Sequence, residues 1–206
     1  NGDLIREILD FIPCSRVNDV VLIEGGDERS PFALNPLVGV PKSDWHQVVT
    51  GIIEIFSRLF GSQWNPRAEH LLRFALLALL EYGRATLPAV LTLFSNQDYR
   101  SEVVATLEPT VVKTFWQEEF PSWKSASDKK AISTIINTFA AFFSHPQILA
   151  IFGVIENKLD LKECLAHRRI VLVSAPKATL GDCNATLLGS LFLSLFKTAC
   201  SARAMA

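Results

Sequence analysis

The segment from Asn65 to Tyr82 has no polar face, and this feature limits most strongly what the chain can fold into. Pro66 stands at a first helical position, preceded by a suitable N-cap, and Gly83 stands at a suitable C-terminal cap. A helix without a polar stripe must be surrounded by protein or lipid. The run from Leu71 to Leu80 is only about half of the roughly 20 residues that cross a membrane. We therefore predict that it is the central helix of a packed helical domain.

Helical periodicity extends over the middle of the chain on both sides of this segment. Ser43 is a suitable N-cap for a helix that runs to about Phe60 along a broad apolar stripe. A polar link is predicted from Lys124 to Lys130. Further helices are predicted at Thr86–Phe94, Asn96–Leu107, Pro109–Glu119, Ala131–Phe143 and from Pro146 to near Gly153.

Two short segments of continuous β-forming residues flank the helical middle. They are Asp19–Glu24, closed by Gly25 and Gly26, and Arg169–Ser174. Such bare apolar runs are typical of parallel strands covered on both faces. A predicted loop, APKATLGD, and a long helix from about Asn184 to Ala202 follow the second strand. We expect the two strands to lie parallel in one sheet, because helices between them supply the crossover that parallel strands need.

The expected fold class is mainly α with a partial α/β part. Residues 1–42 and 159–206 are interpreted as parts of one incomplete, doubly wound α/β domain, and residues 43–158 as an all-α insertion in it. Two strands expose backbone donors and acceptors along free edges and do not make a stable sheet alone. The sequence therefore predicts that the rest of the sheet lies outside this chain.

The sequence lacks the residue patterns that several kinds of chemistry need. There is no G-x-x-x-x-G-K-[ST], and the acids after Gly25-Gly26 would repel a phosphate. The four cysteines form no C-x-x-C pair, which favours a reduced, cytoplasmic chain. With 20 Lys and Arg against 21 Asp and Glu, the net charge of −1 creates no global basic field that would attract nucleic acid. The sequence of the chain alone therefore predicts neither ATP hydrolysis nor strong nucleic-acid binding.

A set of segments, taken in order, resembles a known family. The segments are IPCSRVNDVVLIEGGDERSPFALNPL, WNPRAEHLLRFALLALLE, TLPAVLTLFSNQDYR, TFWQEEFP and RRIVLVSAPKATLGDCNATLLGSLFLSLFKTACSAR. Together they are similar to the motor ATPases of conjugation and type IV secretion, the coupling-protein and HerA/FtsK-like DNA-pumping group. The similarity covers nearly the whole chain. Where relatives often have Asp-Pro after the first strand, this chain has Glu24-Gly25.

The resemblance implies a RecA-like domain interrupted by an all-α insertion, in a hexamer that pumps DNA with ATP and magnesium. It places both ATP-defining motifs outside these 206 residues and implies DNA, other subunits and secretion or relaxosome-like proteins as partners. The parent protein would be cytoplasmic, with a location at the inner face of the membrane left open. Within the chain, Lys177 and Gly181 are candidates for a nucleotide-edge loop, and Arg203 is a candidate for an arginine finger.

Two other functions remain open from the residues alone. The chain could be a self-sufficient helical interaction module that docks a secretion or DNA-processing partner through exposed aromatic residues such as Trp116, Phe120 and Trp123. It could also be a helical bundle, rich in its 14 Phe residues, that holds an apolar small molecule.

Overall fold

The computed structural model describes residues 2–27, 32–61 and 64–204, with the side chains of residues 2–3 and 201–204 outside the description. The strands are β1 (Val20–Glu24) and β2 (Ile170–Ser174). The helices are α1 (Gly2–Asp10), α2 (Trp45–Phe60), α3 (Pro66–Tyr82), α4 (Ala89–Ser95), α5 (Gln97–Thr106), α6 (Val111–Thr114), α7 (Ala126–Phe143), α8 (Pro146–Phe152), α9 (Leu161–Ala166), α10 (Lys177–Leu180) and α11 (Asp182–Ala204).

The two strands form a parallel pair, as predicted. The register aligns Val20 with Ile170 and Glu24 with Ser174, and the N–H of Gly25 continues the ladder to the carbonyl of Ser174 at 2.8 Å. About 145 residues separate the strands in sequence, far more than the dozen or so that a parallel crossover requires. The chain therefore leaves the sheet, builds a helical region and returns to the neighbouring sheet position in the same direction.

Helix α3 is the centre of the helical region, which confirms the prediction for this segment. The Asn65 side chain accepts a hydrogen bond from the Ala68 N–H at 2.9 Å, and the Gly83 N–H closes the last turn on Leu79. Helices α2, α4, α5 and α7 pack against it. The fully buried residues of α3 are Ala68, Leu71, Leu72, Ala75, Leu76, Ala78 and Leu79.

Aromatic stacking joins α2 to α7 inside the same core. The rings of Phe56 and Phe139 stack with centroids 4.5 Å apart, and Phe142 meets Phe56 edge-on at 5.7 Å. Phe56 and Phe139 are completely buried. Helix α11 packs on α2 and on α9, so it connects the sheet region to the helical region.

Asn35 ties together the two connections that enter and leave the helical region. This side chain is fully buried and donates from Nδ2 to the carbonyls of Ala85 and Ile155, at 2.9 and 3.0 Å. Asn157 also forms hydrogen bonds with Asn35. Its side-chain amide donates to the Asn35 carbonyl at 3.2 Å and accepts from the Asn35 N–H. The amide of Asn35 therefore provides hydrogen bonds that buried backbone groups need.

Several predicted helix starts are wrong, and the helix predicted from Thr86 begins only at Ala89. Ser43 does not cap α2, because residues 42–44 form a 3-10 turn, Asp44 takes the N-cap position and the Ser43 hydroxyl donates to the Asp44 carboxylate. Pro109 does not begin a helix, because extended backbone at Thr110 delays the start of α6 to Val111. That helix continues as a π turn over Phe115–Glu119.

Helix α7 begins inside the stretch that was predicted to be a polar link, Lys124 to Lys130. A capping box explains the early start. The Ser125 hydroxyl accepts from the Asp128 N–H at 3.2 Å, and the Asp128 carboxylate accepts from the Ser125 N–H at 2.9 Å. The predicted loop after β2 is also partly helical, since α10 forms one short turn within it.

The strands are less covered than predicted. Leu22 of β1 is 43% exposed, and every residue of β2 is only half-buried. The physical reason is that, in the described part of the chain, β1 and β2 have only each other as sheet neighbours. The prediction of strands enclosed on both faces is therefore wrong for this chain as it stands.

By length and composition, one helix in the described ranges could cross a membrane. This is the segment Asp182–Cys200 of α11, with a mean hydropathy of 1.2. Helices α7 and α8 pass the same criterion only when taken together, and they are bent by 101° at the break between them. Core helices of soluble proteins pass the same criterion, and α11 packs against α2 and α9.

Candidate functional site

The carboxyl ends of β1 and β2 form the edge at which α/β sheets bind ligands. Gly25 and Gly26 follow β1, and a loop from Ala175 leads to Lys177, the first residue of α10. The structure thus brings the predicted nucleotide-edge loop next to the double glycine. The identity of the groups that reach this edge decides which chemistry it can support.

Lys177 is held by a carboxylate of its own loop. Its Nζ lies 2.9 Å from the Asp182 carboxylate at the start of α11, and both side chains are exposed. An exposed ion pair of this kind contributes about 0–1 kcal/mol, so Asp182 is easily displaced. A phosphate at this position would nevertheless have to compete with Asp182 for the only cation that the predicted loop contains.

Gly181 forms the turn between α10 and α11. Its φ of +78° is a conformation that favours glycine, and its N–H donates to the Lys177 carbonyl at 2.8 Å. The N–H is thus used inside the turn. The structure places Lys177 and Gly181 together, as the sequence predicted, but it shows both engaged in local contacts.

Gly25 and Gly26 allow close packing at the sheet edge. A Cβ on Gly25 would lie 2.4 Å from the Leu188 side chain of α11, and one on Gly26 would lie 2.8 Å from Pro176. Gln147, in the first turn of α8, donates to the Gly26 carbonyl at 3.3 Å. The helical region therefore contacts the sheet edge directly. No sequence pattern indicated Gln147, because this contact spans 121 residues.

Arg203 lies in the last turn of α11. Its side chain lies outside the described residues, so the arginine-finger prediction stays a prediction. The described residues contain no group of three or more His, Cys, Asp or Glu side chains arranged to hold a metal ion.

The predicted exposed aromatic surface is wrong for Trp116. This residue is buried, and its indole N–H donates to the Phe74 carbonyl at 3.3 Å. Phe120 packs on it with ring centroids 4.8 Å apart. Trp116 is therefore part of the core that holds the π turn against α3, while Trp123 is half-buried at the surface.

Trp123 lies beside an open cleft of about 650 Å³, which we call the Trp123 cleft. The Arg67 guanidinium lies 5.0 Å from the centre of the Trp123 ring, and the His70 ring is nearly parallel to that ring at 6.1 Å. His70 Nε2 is 3.3 Å from the Glu119 carboxylate. The lining residues are Asn65, Pro66, Arg67, His70, Glu119, Trp123, Ser127 and Lys130.

Asp128 fixes Arg67 at this cleft. The Arg67 guanidinium lies 2.7 Å from the Asp128 carboxylate, which is itself almost fully buried. The hydrogen bond from the Ser125 hydroxyl lowers the pKa of Asp128, and the charge of Arg67 acts in the same direction against the effect of desolvation. Asp128 is therefore a stable anion that orients the guanidinium without facing the cleft.

A second, apolar concavity of about 470 Å³ lies between β2 and α11, and we call it the β2–α11 groove. Val171 and Val173 form its strand side, and Leu193, which is 67% exposed, stands at its rim. Cys164 also contributes, and burial raises the pKa of its thiol. A small apolar ligand would bind here if the chain holds one. The remaining lining residues are Leu165, Arg169, Ala175, Gly189, Phe192 and Phe196.

The chain matches no protein-family model, no curated protein and no solved structure.

Proposed function

We propose that this chain is the all-α insertion and flanking sheet of a DNA-translocating motor ATPase of conjugation or type IV secretion. The observation that supports the proposal best is the parallel pairing of β1 with β2 across the whole helical region. A helical region inserted into a parallel nucleotide-binding sheet requires this arrangement. An independent helical domain with a two-stranded ribbon would more simply use a hairpin.

The exposure of the sheet also supports the proposal. Parallel sheets are normally covered on both faces, yet Leu22, β2 and Leu193 expose apolar surface. A larger RecA-like sheet would cover this surface with further strands and helices. In the longer protein, residues 1–42 and 159–206 would belong to that nucleotide-binding domain, and residues 43–158 would form the insertion.

ATP and magnesium would be bound chiefly by residues outside this chain. A phosphate-binding loop with its lysine, and an acidic strand end for the metal, supply the charge that phosphoryl transfer needs. Lys177 would contribute at the nucleotide edge only after release from Asp182. Arg203 would act toward the nucleotide of a neighbouring subunit in the hexamer.

In this proposal the longer protein works in the cytoplasm or at the inner face of the membrane. Its partners are DNA, further subunits of the ring and relaxosome-like or secretion proteins. The helical region, which contacts the sheet edge through Gln147 and Gly26, would sense the state of the nucleotide site next to it.

The test compares ATP hydrolysis by the 206-residue chain and by a protein extended on both sides along its gene. We expect no measurable turnover from the chain alone, because a single exposed lysine binds a polyphosphate weakly. The extended protein should hydrolyse radiolabelled ATP only with magnesium, and faster as it assembles. The matched control is the extended protein with the phosphate-loop lysine changed to alanine. Turnover by the chain itself would show that it contains a complete site.

The alternative is a self-sufficient interaction module, and the exposed face of α1 favours it. Leu4 and Ile8 are exposed on this amphipathic helix, and Phe11, directly after it, is 86% exposed. An extended protein that assembles on DNA but does not hydrolyse ATP would favour the module over the motor.

A further inference from the structure

Four cations are concentrated around the Trp123 cleft in a chain whose net charge is only −1. Arg67 and Lys130 line the cleft, and Lys129 is exposed next to Lys130 on the first turn of α7. Lys124 is exposed and directly follows Trp123 in the chain. The distribution of charge is therefore locally basic, although the chain as a whole is not.

The carboxylates at this cleft are held by neighbouring side chains. Asp128 is almost fully buried and bonded to Ser125 and Arg67. Glu119 contacts His70 and accepts from the Trp123 indole at 3.3 Å. Arg67 is 51% exposed, about as much as Glu119 at 49%, and one ion pair leaves several of its five N–H donors for a ligand. The charged groups that line the cleft are therefore Arg67, Lys130 and Glu119, an excess of one cation.

An aromatic ring stands beside these cations. Trp123 is half-buried, with the Arg67 guanidinium over its ring. Indole rings and arginine planes are the surfaces on which the bases of single-stranded nucleic acid stack, while lysines contact the phosphates. The cleft volume of about 650 Å³ lies within the roughly 300–1,000 Å³ typical of ligand sites.

We propose that the Trp123 cleft is a binding site for single-stranded nucleic acid, with phosphates on Arg67, Lys129 and Lys130 and a base against the Trp123–Arg67 pair. The identification of the strand as DNA rests on the proposed motor function, whereas the binding chemistry depends only on the cleft. The carboxylates of Asp128 and Glu119, which contact Arg67 and His70, reduce the net positive charge around the cleft. Binding by one chain is therefore weak.

The experiment measures fluorescence anisotropy of a labelled thymidine 20-mer as the 206-residue chain is added at low salt. Three phosphate contacts predict that the logarithm of the binding constant falls with the logarithm of salt concentration with a slope of about −2, since each contact in single strands contributes about −0.7. The double variant Lys129→Glu/Lys130→Glu should lose at least tenfold in affinity. The matched control, Lys158→Glu/Lys162→Glu, makes the same charge change outside the cleft and should lose less than threefold.

The aromatic contribution has its own pair of variants. Trp123→Ala should weaken binding about tenfold, because stacking on an aromatic ring contributes roughly 1–3 kcal/mol per base. Trp123→Phe should retain most of the affinity. Circular dichroism and melting temperature establish that each variant is folded. A variant that unfolds is replaced by Arg67→Gln, which removes the cation over the ring and should lose at least threefold.

Four outcomes would overturn the proposal: no binding at low salt, an equal loss in both double variants, an unchanged affinity in Trp123→Ala, or equal competition by poly-glutamate, which has the charge but no bases. The last result would identify an acidic protein as the partner. ATP hydrolysis by the extended protein tests the motor separately. Binding at the cleft without hydrolysis would overturn only the motor, and hydrolysis without binding would overturn only the cleft.

Discussion

The helical region from α2 to α8 surrounds its central helix with protein, whereas β1, β2 and α11 leave apolar surface open beside a core that both regions share. Leu76 at the centre of α3 is completely buried, while Leu193 of α11 is 67% exposed. Both are leucines on long helices in apolar stretches of sequence. The difference is that α3 has helices on several sides, whereas α11 has mainly α2 and the short helices α9 and α10 as neighbours.

This comparison shows that the two kinds of structure depend differently on neighbouring chain. A helix satisfies its backbone hydrogen bonds internally, so a set of amphipathic helices can close around one apolar helix. A pair of parallel strands has two free edges, and its two faces must be covered by other helices or strands that are distant in sequence. The closed region should therefore be the source of stability in this chain, and the open region should be tolerant of change.

The largest effect is expected for Leu76→Asp. An unpaired carboxylate in the interior of α3 costs several kcal/mol, which is comparable to a total stability of about 5–15 kcal/mol. We expect the chain to unfold, as measured by circular dichroism at 25 °C. The control Leu76→Ala removes the same packing without adding charge and should cost about 2–5 kcal/mol. A Leu76→Asp protein that melts at the wild-type temperature would show that α3 is not the centre of the core.

An intermediate effect is expected for Asn35→Ala at the junction of the two regions. This change leaves the carbonyls of Ala85 and Ile155 and the N–H of Leu37 without the Asn35 side chain. We expect a loss of about 2–6 kcal/mol in the free energy of unfolding by urea, because two of these groups, the Ala85 carbonyl and the Leu37 N–H, are buried and each costs roughly 1–3 kcal/mol when unsatisfied.

The matched control for the junction is Asn18→Ala, at an exposed asparagine, which should cost less than about 0.5 kcal/mol. Equal losses in the two variants would contradict a structural role for the junction. A separate early transition of the sheet region in Asn35→Ala would sharpen the comparison, because it would show that Asn35 couples the two regions.

Short-range sequence patterns predicted the helices and strands whose ends are determined by residues close together in sequence. The ends of α3 follow from Asn65 and Gly83, and the two strands follow from bare β-forming runs between turns. The start of α7 was predicted too late, because Lys129 and Lys130 made the stretch look like a polar link. The Ser125–Asp128 capping box was the signal that could have placed the start correctly.

The candidate site was less predictable, since its contacts join residues far apart in sequence. Lys177 and Gly181 lie beyond the carboxyl end of β2, and their role at a nucleotide stays a prediction. The pairing of Lys177 with Asp182 depends on the turn between α10 and α11. Trp116 is buried against residues far away in sequence, and its indole N–H donates to the carbonyl of Phe74, 42 residues away. A chain of amphipathic helices does not show in sequence which aromatic residues face its centre.

The smallest effect is expected for Leu193→Asp in the β2–α11 groove. The side chain is already largely in water, so the carboxylate stays solvated and the free energy of unfolding should change by less than about 0.5 kcal/mol. Urea unfolding of Leu193→Asp and of Leu193→Ala checks this, with the same protein concentration for both. A loss above about 2 kcal/mol that grows with protein concentration would mean that copies of the chain cover the groove in solution. A similar loss independent of concentration would place Leu193 in the core and remove the contrast with Leu76.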